Sequence, residues 1–341
     1  MSETRTTVNI STLTILKIVF VGLLLWLLWI IRDILLIFLI SIIISSAIDP
    51  VADFLYKRRV PRSLSVLLVY SVFIGLVVLI GFMIVPPMTV QFNEIKNADV
   101  YQTFISKVGV YRENLSHSSI GRAIDNSMRE FVNNFGGTLF ATTKGVLTGI
   151  VSVITVLVIS FYLTIEENGL KNFAKHLAPY KHQAYTLRLI TKIQRKMGAW
   201  VLGQVILSAV IFGLVFIGLT VLKVKYALVL ALIAALFEVI PIIGPFISGA
   251  FGVFFAFLQA PALAVAVLIL WVVTQQLESH IIVPIVMSKS VGINPVMVIL
   301  GVLIGGTLNG FVGALIAIPV ISGISVFVLD LMEGNTGEET G

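Results

Sequence analysis

The chain contains no cysteine among its 341 residues, and only 12% of its residues are charged. Without cysteine there is no disulfide framework, no thiol catalysis and no cysteine metal site. The histidines show no metal-ligand spacing, so no metal site is predicted; they are His117, His176, His182 and His280. The sequence also lacks any Gly-Lys pair, which excludes a G-x-x-x-x-G-K phosphate loop and argues against nucleotide hydrolysis.

Apolar residues, in contrast, make up 58% of the chain, and the mean hydropathy is +1.05. Soluble domains average about 45 to 50% apolar and 25% charged residues. The composition therefore predicts an all-α polytopic membrane protein whose first partner is membrane lipid. The net charge of +6 is interpreted as membrane topology, and no nucleic-acid partner is expected. No nucleophile, base and orienting group can be assembled, so we expect neither an enzyme nor a cofactor.

Five uninterrupted apolar runs come close to the roughly 20 residues needed to cross a bilayer. They cover 13–31, 34–48, 64–85, 145–165 and 199–222. Between the third and fourth runs, apolar residues recur at helical spacing through a polar stretch at 88–144, which predicts amphipathic helices at the membrane surface. A gate over a substrate path is the alternative. A second polar stretch, 167–196, is interrupted at Pro179 and predicts a solvated connector.

Lysine and arginine counts predict the orientation of these runs. Loop 49–63 holds four such residues and loop 166–196 holds seven, whereas the much longer stretch 88–144 holds six. The positive-inside rule places the first two loops, and with them the N-terminus, in the cytoplasm. Binding of anionic lipid by the cluster in loop 49–63 is an alternative explanation of its charge.

After Lys225 the apolar segments are interrupted in their middles. Residues 226–240 would form a helix of only ~22 Å, and the sequence LFEVIPIIGPFISG then places Pro241, Gly244 and Pro245 where a helix cannot easily continue. We expect the segment to break or turn back inside protein or along a watery cavity. Glu238 is expected in the same surroundings, because inserting an ionisable group at membrane depth costs roughly 2.5 to 3.5 kcal/mol.

A second interrupted segment runs from Asn294 to Leu331 and leaves open whether the chain crosses once or as a hairpin. The polar and small residues at its middle are Gly305, Gly306, Asn309, Gly310 and Gly313. Tight packing of helices is an alternative role for Gly310 and Gly313. The strings PFISG at 245–249 and PVISG at 319–323 hint at a repeat, and paired broken segments point to a transporter's binding site.

Polar residues cluster between the two segments, in WVVTQQLESHIIVP. In a continuous helix Gln275 and Glu278 share one face, and Gln276 and His280 share a neighbouring face. One face would then line a path. Alternatively, the span ends near Thr274 and these side chains meet water.

Three strings in this order resemble the autoinducer-2 exporter (AI-2E) family: IPIIGP at 240–245, LESHIIVP at 277–284 and INPVMVILGVLIGGTLNGFVGALIAIP at 293–319. The resemblance covers nearly the whole chain. The matching positions are Pro241, Gly244, Pro245, Glu278, Pro284, Pro295, Gly305, Gly306, Gly310, Gly313 and Pro319. It implies a multi-span transporter of the bacterial cytoplasmic membrane that assembles as a homo-oligomer, with a pentamer and an elevator-like movement expected.

Together these features predict about eight transmembrane segments, with two broken or re-entrant units in the C-terminal half. The expected divisions are a three-span unit (1–87), extracytoplasmic amphipathic helices (88–144), two spans with a basic connector (145–225), a broken-helix transport core (226–331) and an acidic tail (332–341). The predicted breaks are Pro241, Gly244, Pro245, Gly305, Gly306 and Gly310.

The sequence is compatible with two transport functions and one role of another kind. The first is export of a small polar signal such as autoinducer-2, held by Gln275, Gln276 and Asn309 while Glu238 orients polar partners. The second is exchange of a cation for protons at Glu238 and Glu278, because a desolvated carboxylate is protonated more readily and hard cations favour oxygen ligands. The resemblance implies that the cation is Na⁺ or Li⁺. A membrane scaffold without transport is the third. For both transport functions, the path is expected between the two broken segments.

Overall fold

The computed structural model describes residues 12–97, 151–166, 169–241, 243–287 and 295–336. Every regular element within these ranges is helical, which confirms the all-α prediction. Six helices there are long and apolar enough to cross a membrane, and three shorter apolar helices accompany them. Most of the predicted amphipathic stretch, 98–144, and the last residues of the acidic tail lie outside the described ranges.

Within 12–97 and 151–166 the structure describes four helices, α1 (Thr12–Ile30), α2 (Arg32–Tyr56), α3 (Arg62–Asn97) and α4 (Val151–Ile165). Helix α3 passes through Pro86 and Pro87 and continues beyond the predicted end of the third run. Helices α2, α3 and α4 share a buried apolar cluster around Ala52, Val66 and Tyr70. Helix α1 contributes no residue to the buried core, so its surface is available to lipid or to another chain.

A short helix, α5 (Gly169–Leu177), precedes Pro179 and a 3₁₀ turn at Tyr180–His182. The predicted interruption at Pro179 is present, since this residue adopts an extended conformation (φ −54°, ψ 144°). Helix α6 (Gln183–Val221) then runs for 39 residues. The second half of the expected connector is thus the beginning of the longest uninterrupted helix, which contacts α2, α7 and α11.

The first broken segment is a hairpin of two antiparallel helices, α7 (Ala227–Phe237) and α8 (Ile243–Gln259). At its closed end Gly244 lies against the backbone carbonyl of Phe237. At its open end the Lys225 amide donates to Gln259 Oε1 at 2.9 Å. The chain therefore turns back, and α7 at about 17 Å is too short to cross a bilayer alone.

Helix α9 (Pro261–Leu277) continues through a π-helical turn at Glu278–Ile282 into α10 (Val283–Met287). The continuous arrangement is the first of the two expected for this run. The indole of Trp271 on α9 fits against Gly249 and Gly252 of α8, where an added Cβ would lie 2.7 Å and 2.6 Å from ring atoms. This contact holds α9 against the first hairpin.

The second broken segment, α11 (Pro295–Thr336), is also a hairpin. Only Asn309 (φ −146°, ψ 34°) and Gly310 (φ 56°, ψ −138°) have non-helical backbone. Arms 295–308 and 311–336 face each other, because a Cβ on either Gly305 or Gly313 would overlap the other residue's carbonyl oxygen. Gly305 and Gly306 were predicted as breaks, and this was wrong: both are helical, and Gly305 permits close contact between the arms.

Candidate functional site

Glu238 lies where α7 ends, in the turn of the first hairpin. Its amide donates to the Ala234 carbonyl at 2.9 Å, so the backbone of Glu238 is fixed by the last turn of α7. Only 2% of the residue is exposed. Because the turn is enclosed by other helices, the carboxyl group is removed from both solvent and lipid, as expected of an ionisable residue at membrane depth.

Glu278 begins the π-helical turn after α9, and 7% of it is exposed. A π turn adds one residue to a helical circuit and changes the direction of the side chains that follow it, and such turns are frequent at functional sites. Here Glu278 is buried, whereas Gln276 and His280 are exposed. Glu278 thus faces the interior, whereas Gln276 and His280 face outward.

The two glutamates are brought together although 40 positions separate them in the sequence. Their carboxyl groups lie close enough to interact, and Gln275 neighbours Glu278 in the same site. A carboxylate can only accept a hydrogen bond, so a hydrogen bond between the two carboxyl groups requires a proton on one of them. Two negative charges this close in a buried site strongly disfavour full ionisation of both groups. The pair is consequently a place where a proton is held.

Gln204 is a further member of the site that the sequence patterns did not indicate. It lies on α6, is 2% exposed, and its Nε2 donates to the backbone carbonyl of Glu238 at 2.6 Å. Its Oε1 is buried and finds no hydrogen-bond partner among the described residues. The available signal was a lone amide in the apolar run 199–222. Gln204 fixes the hairpin turn and leaves an oxygen acceptor beside it.

The remaining predicted residues take other positions. Asn309 is exposed at the turn of the second hairpin. The carbonyl of Gln276 lies 3.0 Å from His280 Nδ1, one turn along the same exposed face. Pro241 lies in the turn of the first hairpin. Gly244 and Pro245 were also predicted as breaks, and this was wrong: both are buried in the first turn of α8, where a proline is tolerated because its N–H would have no helical partner. Of the polar set, the structure gathers Glu238, Glu278 and Gln275.

The two hairpins contribute to one buried cluster, and that cluster is apolar. Ile240, from the turn of the first hairpin, belongs to it together with Val302 and Ile318 from the two arms of the second and Trp200 of α6. The sequence had suggested a polar path between the broken segments. The described polar groups instead lie between the first hairpin, α6 and the π turn.

A second buried polar region joins α2, α3 and α4. The Thr164 hydroxyl is hydrogen-bonded to Ser45 Oγ at 2.9 Å and to the Tyr70 hydroxyl at 3.1 Å. Arg62 donates to the Thr164 carbonyl and forms an ion pair with Asp53 at 2.8 Å. These contacts tie the cytoplasmic loop expected at 49–63 to the end of α4, so Arg62 has a structural role beyond topology.

The chain is similar to known proteins over most of its length. The family described as "AI-2E family transporter" matches residues 13–333. "Putative transport protein YueF" of Bacillus subtilis is 28% identical over 310 residues, covering 86% of this chain and 83% of its own length. "Putative transport protein YrrI" of the same organism is 26% identical over 341 residues and covers 95% of each chain. "Putative transport protein MT0215" of Mycobacterium tuberculosis is 37% identical, over 35% of this chain and 32% of its own.

Proposed function

Because this chain belongs to the AI-2E transporter family, we propose that it is a secondary transporter that exchanges a monovalent cation, Na⁺ or Li⁺, for protons at Glu238 and Glu278. The carboxyl pair carries the proposal. Two acidic side chains from separate elements lie beside each other inside the fold, each less than 10% exposed. Burying two acidic groups at membrane depth costs free energy, so such a pair is expected to have a function.

The chemistry of exchange follows from the charge of this pair. With one proton bound, the pair carries a single negative charge. If a monovalent cation replaces that proton, both groups are ionised and the net charge is again minus one. The two ions therefore compete for the same oxygen atoms without adding charge to a buried site. The amide oxygen of Gln275 and the unpartnered Oε1 of Gln204 are neutral oxygen ligands of the kind that hard cations prefer.

Export of a small polar signal such as autoinducer-2 is the second candidate, favoured by the same amide groups. The buried Gln204 Oε1 would accept a hydrogen bond from a ligand hydroxyl, and Gln275 would offer a second contact. In this case the carboxyl pair orients the amide groups and does not itself bind and release ions during transport.

The orientation belongs to the same proposal. The two basic loops assigned to the cytoplasm converge in the structure, since Lys57 lies with Lys171 and Arg195 around one cavity. This convergence supports placing both loops, and the N-terminus, on the cytoplasmic side of the bacterial cytoplasmic membrane.

The test uses the full chain reconstituted in liposomes that contain a pH-sensitive dye. Adding Na⁺ or Li⁺ outside should drive proton efflux, and choline should not. Glu238→Gln and Glu278→Gln should each reduce that efflux to the rate of protein-free liposomes, since a neutral amide cannot exchange a proton. Glu166→Gln is the matched control, because Glu166 is an exposed carboxylate at the end of α4 and its loss should leave the rate unchanged.

Labelled autoinducer-2 is measured in the same liposomes. Its flux without any cation requirement, together with no Na⁺-driven proton efflux from the unsubstituted protein, would contradict exchange and favour export. Na⁺-driven proton efflux that survives in both glutamine variants would contradict exchange at the carboxyl pair. Absence of both fluxes in the unsubstituted protein would favour a scaffold role.

A further inference from the structure

A cavity of about 460 Å³ lies between α2, α5 and α6. Its polar lining includes Ser46, Asp49, Asp53, Lys57, Lys171 and Arg195. The volume falls within the range typical of small-ligand sites. The cavity shares no lining residue with the carboxyl pair, so a ligand bound here would be independent of the proposed transport function.

The charges around this cavity are not balanced. Asp53 and Asp49 are engaged by Arg62, whose nitrogens lie 2.8 Å and 3.5 Å from their Oδ1 atoms and whose side chain is 16% exposed. Lys57, Lys171 and Arg195 have no ion pair among the described residues. With Arg62 included, four cations face two carboxylates, so an excess of positive charge remains at the cavity and belongs to three different helical elements or their ends.

The cavity also has an apolar side. Pro50 and Phe54 on α2 line it, and both are exposed. A soluble anion would gain nothing from these groups. A phospholipid would place its phosphate among the cations while its glycerol and acyl chains lie along Pro50 and Phe54. Basic pockets between transmembrane helices on the cytoplasmic side are a known type of anionic-lipid site.

We propose that this cavity is a binding site for the headgroup phosphate of an anionic phospholipid, held by Lys57, Lys171 and Arg195. Bound lipid would tie the end of α2 to α5 and to the first half of α6. Since α6 also contacts both hairpins, the site lies on the helix that connects the N-terminal helices to the carboxyl pair.

Native mass spectrometry of the full chain in neutral detergent tests this, with phosphatidylglycerol as the probe and phosphatidylcholine as the uncharged comparison. Phosphatidylglycerol should be retained and phosphatidylcholine should not. The variant Lys57→Gln, Lys171→Gln, Arg195→Gln should bind phosphatidylglycerol more weakly by on the order of 100-fold, since each cation near a lipid surface contributes a several-fold effect. Lys57→Arg, Lys171→Arg, Arg195→Lys should restore most of the binding.

A matched control removes the same charge from the same basic loops without touching the cavity: Arg59→Gln, Lys175→Gln, Lys181→Gln, which should change binding only a few-fold. Equal loss in both triple variants would overturn the proposal, because it would show general attraction only. Displacement of the lipid by millimolar inorganic phosphate would overturn the lipid assignment in favour of a soluble anion. If the glutamine triple variant does not fold, Lys171→Gln alone should still weaken binding roughly five-fold, and no change would count against the site.

Discussion

The two helical hairpins solve the same problem with different turns. A helix interrupted in a membrane leaves backbone groups unpaired, and lipid cannot satisfy them. The first hairpin turns between Phe237 and Ile243, and its turn keeps backbone hydrogen bonds from Ile240 to Phe237 and from Gly244 to Ile240, at 3.0 Å and 2.9 Å. The second turns in only two residues, Asn309 and Gly310, with glycine at positive φ.

The difference in turn length has a functional consequence. The longer turn has room for Glu238 and is covered by α6 and the π turn, so it positions a charged group in the interior. The shorter turn is exposed, and its neighbouring glycines serve contact between the arms. A broken helix in this protein is therefore not in itself a binding site; enclosure of the break by other helices makes it one.

Among the variants that test the difference between the two hairpins, Trp271→Ala is expected to have the largest effect, on the packing of the first hairpin. Loss of the indole leaves a cavity against Gly249 and Gly252, and removal of a buried tryptophan costs about 3 to 5 kcal/mol of unfolding free energy. Hydrogen exchange should rise in α7 and α8 while 295–336 stays protected. Trp26→Ala, at an exposed position on α1, is the control. Equal loss of protection in both hairpins would show that they do not pack independently.

Gly305→Ala should have the next largest effect, this time on the second hairpin. The new methyl group would overlap the Gly313 carbonyl, and overpacking of this kind costs about 1 to 3 kcal/mol. Gly306→Ala is a matched control one position away, where the nearest atom to the new Cβ is 4.0 Å distant. Denaturant titration should show destabilisation for Gly305→Ala only. Similar midpoints for both variants would mean that the arms are not in close contact.

The smallest effect on stability is expected from replacing the serine of each of the two related strings, PFISG and PVISG. Ser248 Oγ donates to the Pro245 carbonyl at 3.2 Å, whereas Ser322 Oγ is buried without a partner among the described residues. Ser248→Ala should lower the unfolding free energy by about 0.6 kcal/mol, the average for polar contacts within membrane proteins. Ser322→Ala should be neutral or slightly stabilising, because no hydrogen bond is lost. The reverse order in thermal unfolding would contradict the assigned hydrogen bonds.

Part of the architecture follows from local sequence. Composition predicts the all-α membrane class, and Pro241 predicts the first break because proline disfavours a continuous helix. For the second break, Gly310 was predicted and has non-helical backbone, whereas the predictions at Gly305 and Gly306 were wrong. Glycine is compatible both with a turn and with close helix packing, and the sequence alone did not separate these uses at Gly305, Gly306 and Gly310.

The candidate site shows the same division. The sequence by itself determined that Glu238 and Glu278 must be kept away from lipid, because a charged group in hydrocarbon is costly wherever it stands in the chain. Only the tertiary structure decided that the two residues are buried beside each other, that Gln204 of α6 belongs to the same site, and that Asn309 does not. These choices depend on how hairpin, π turn and long helix pack, and contacts between distant segments leave no periodic pattern in the sequence from which they could be predicted.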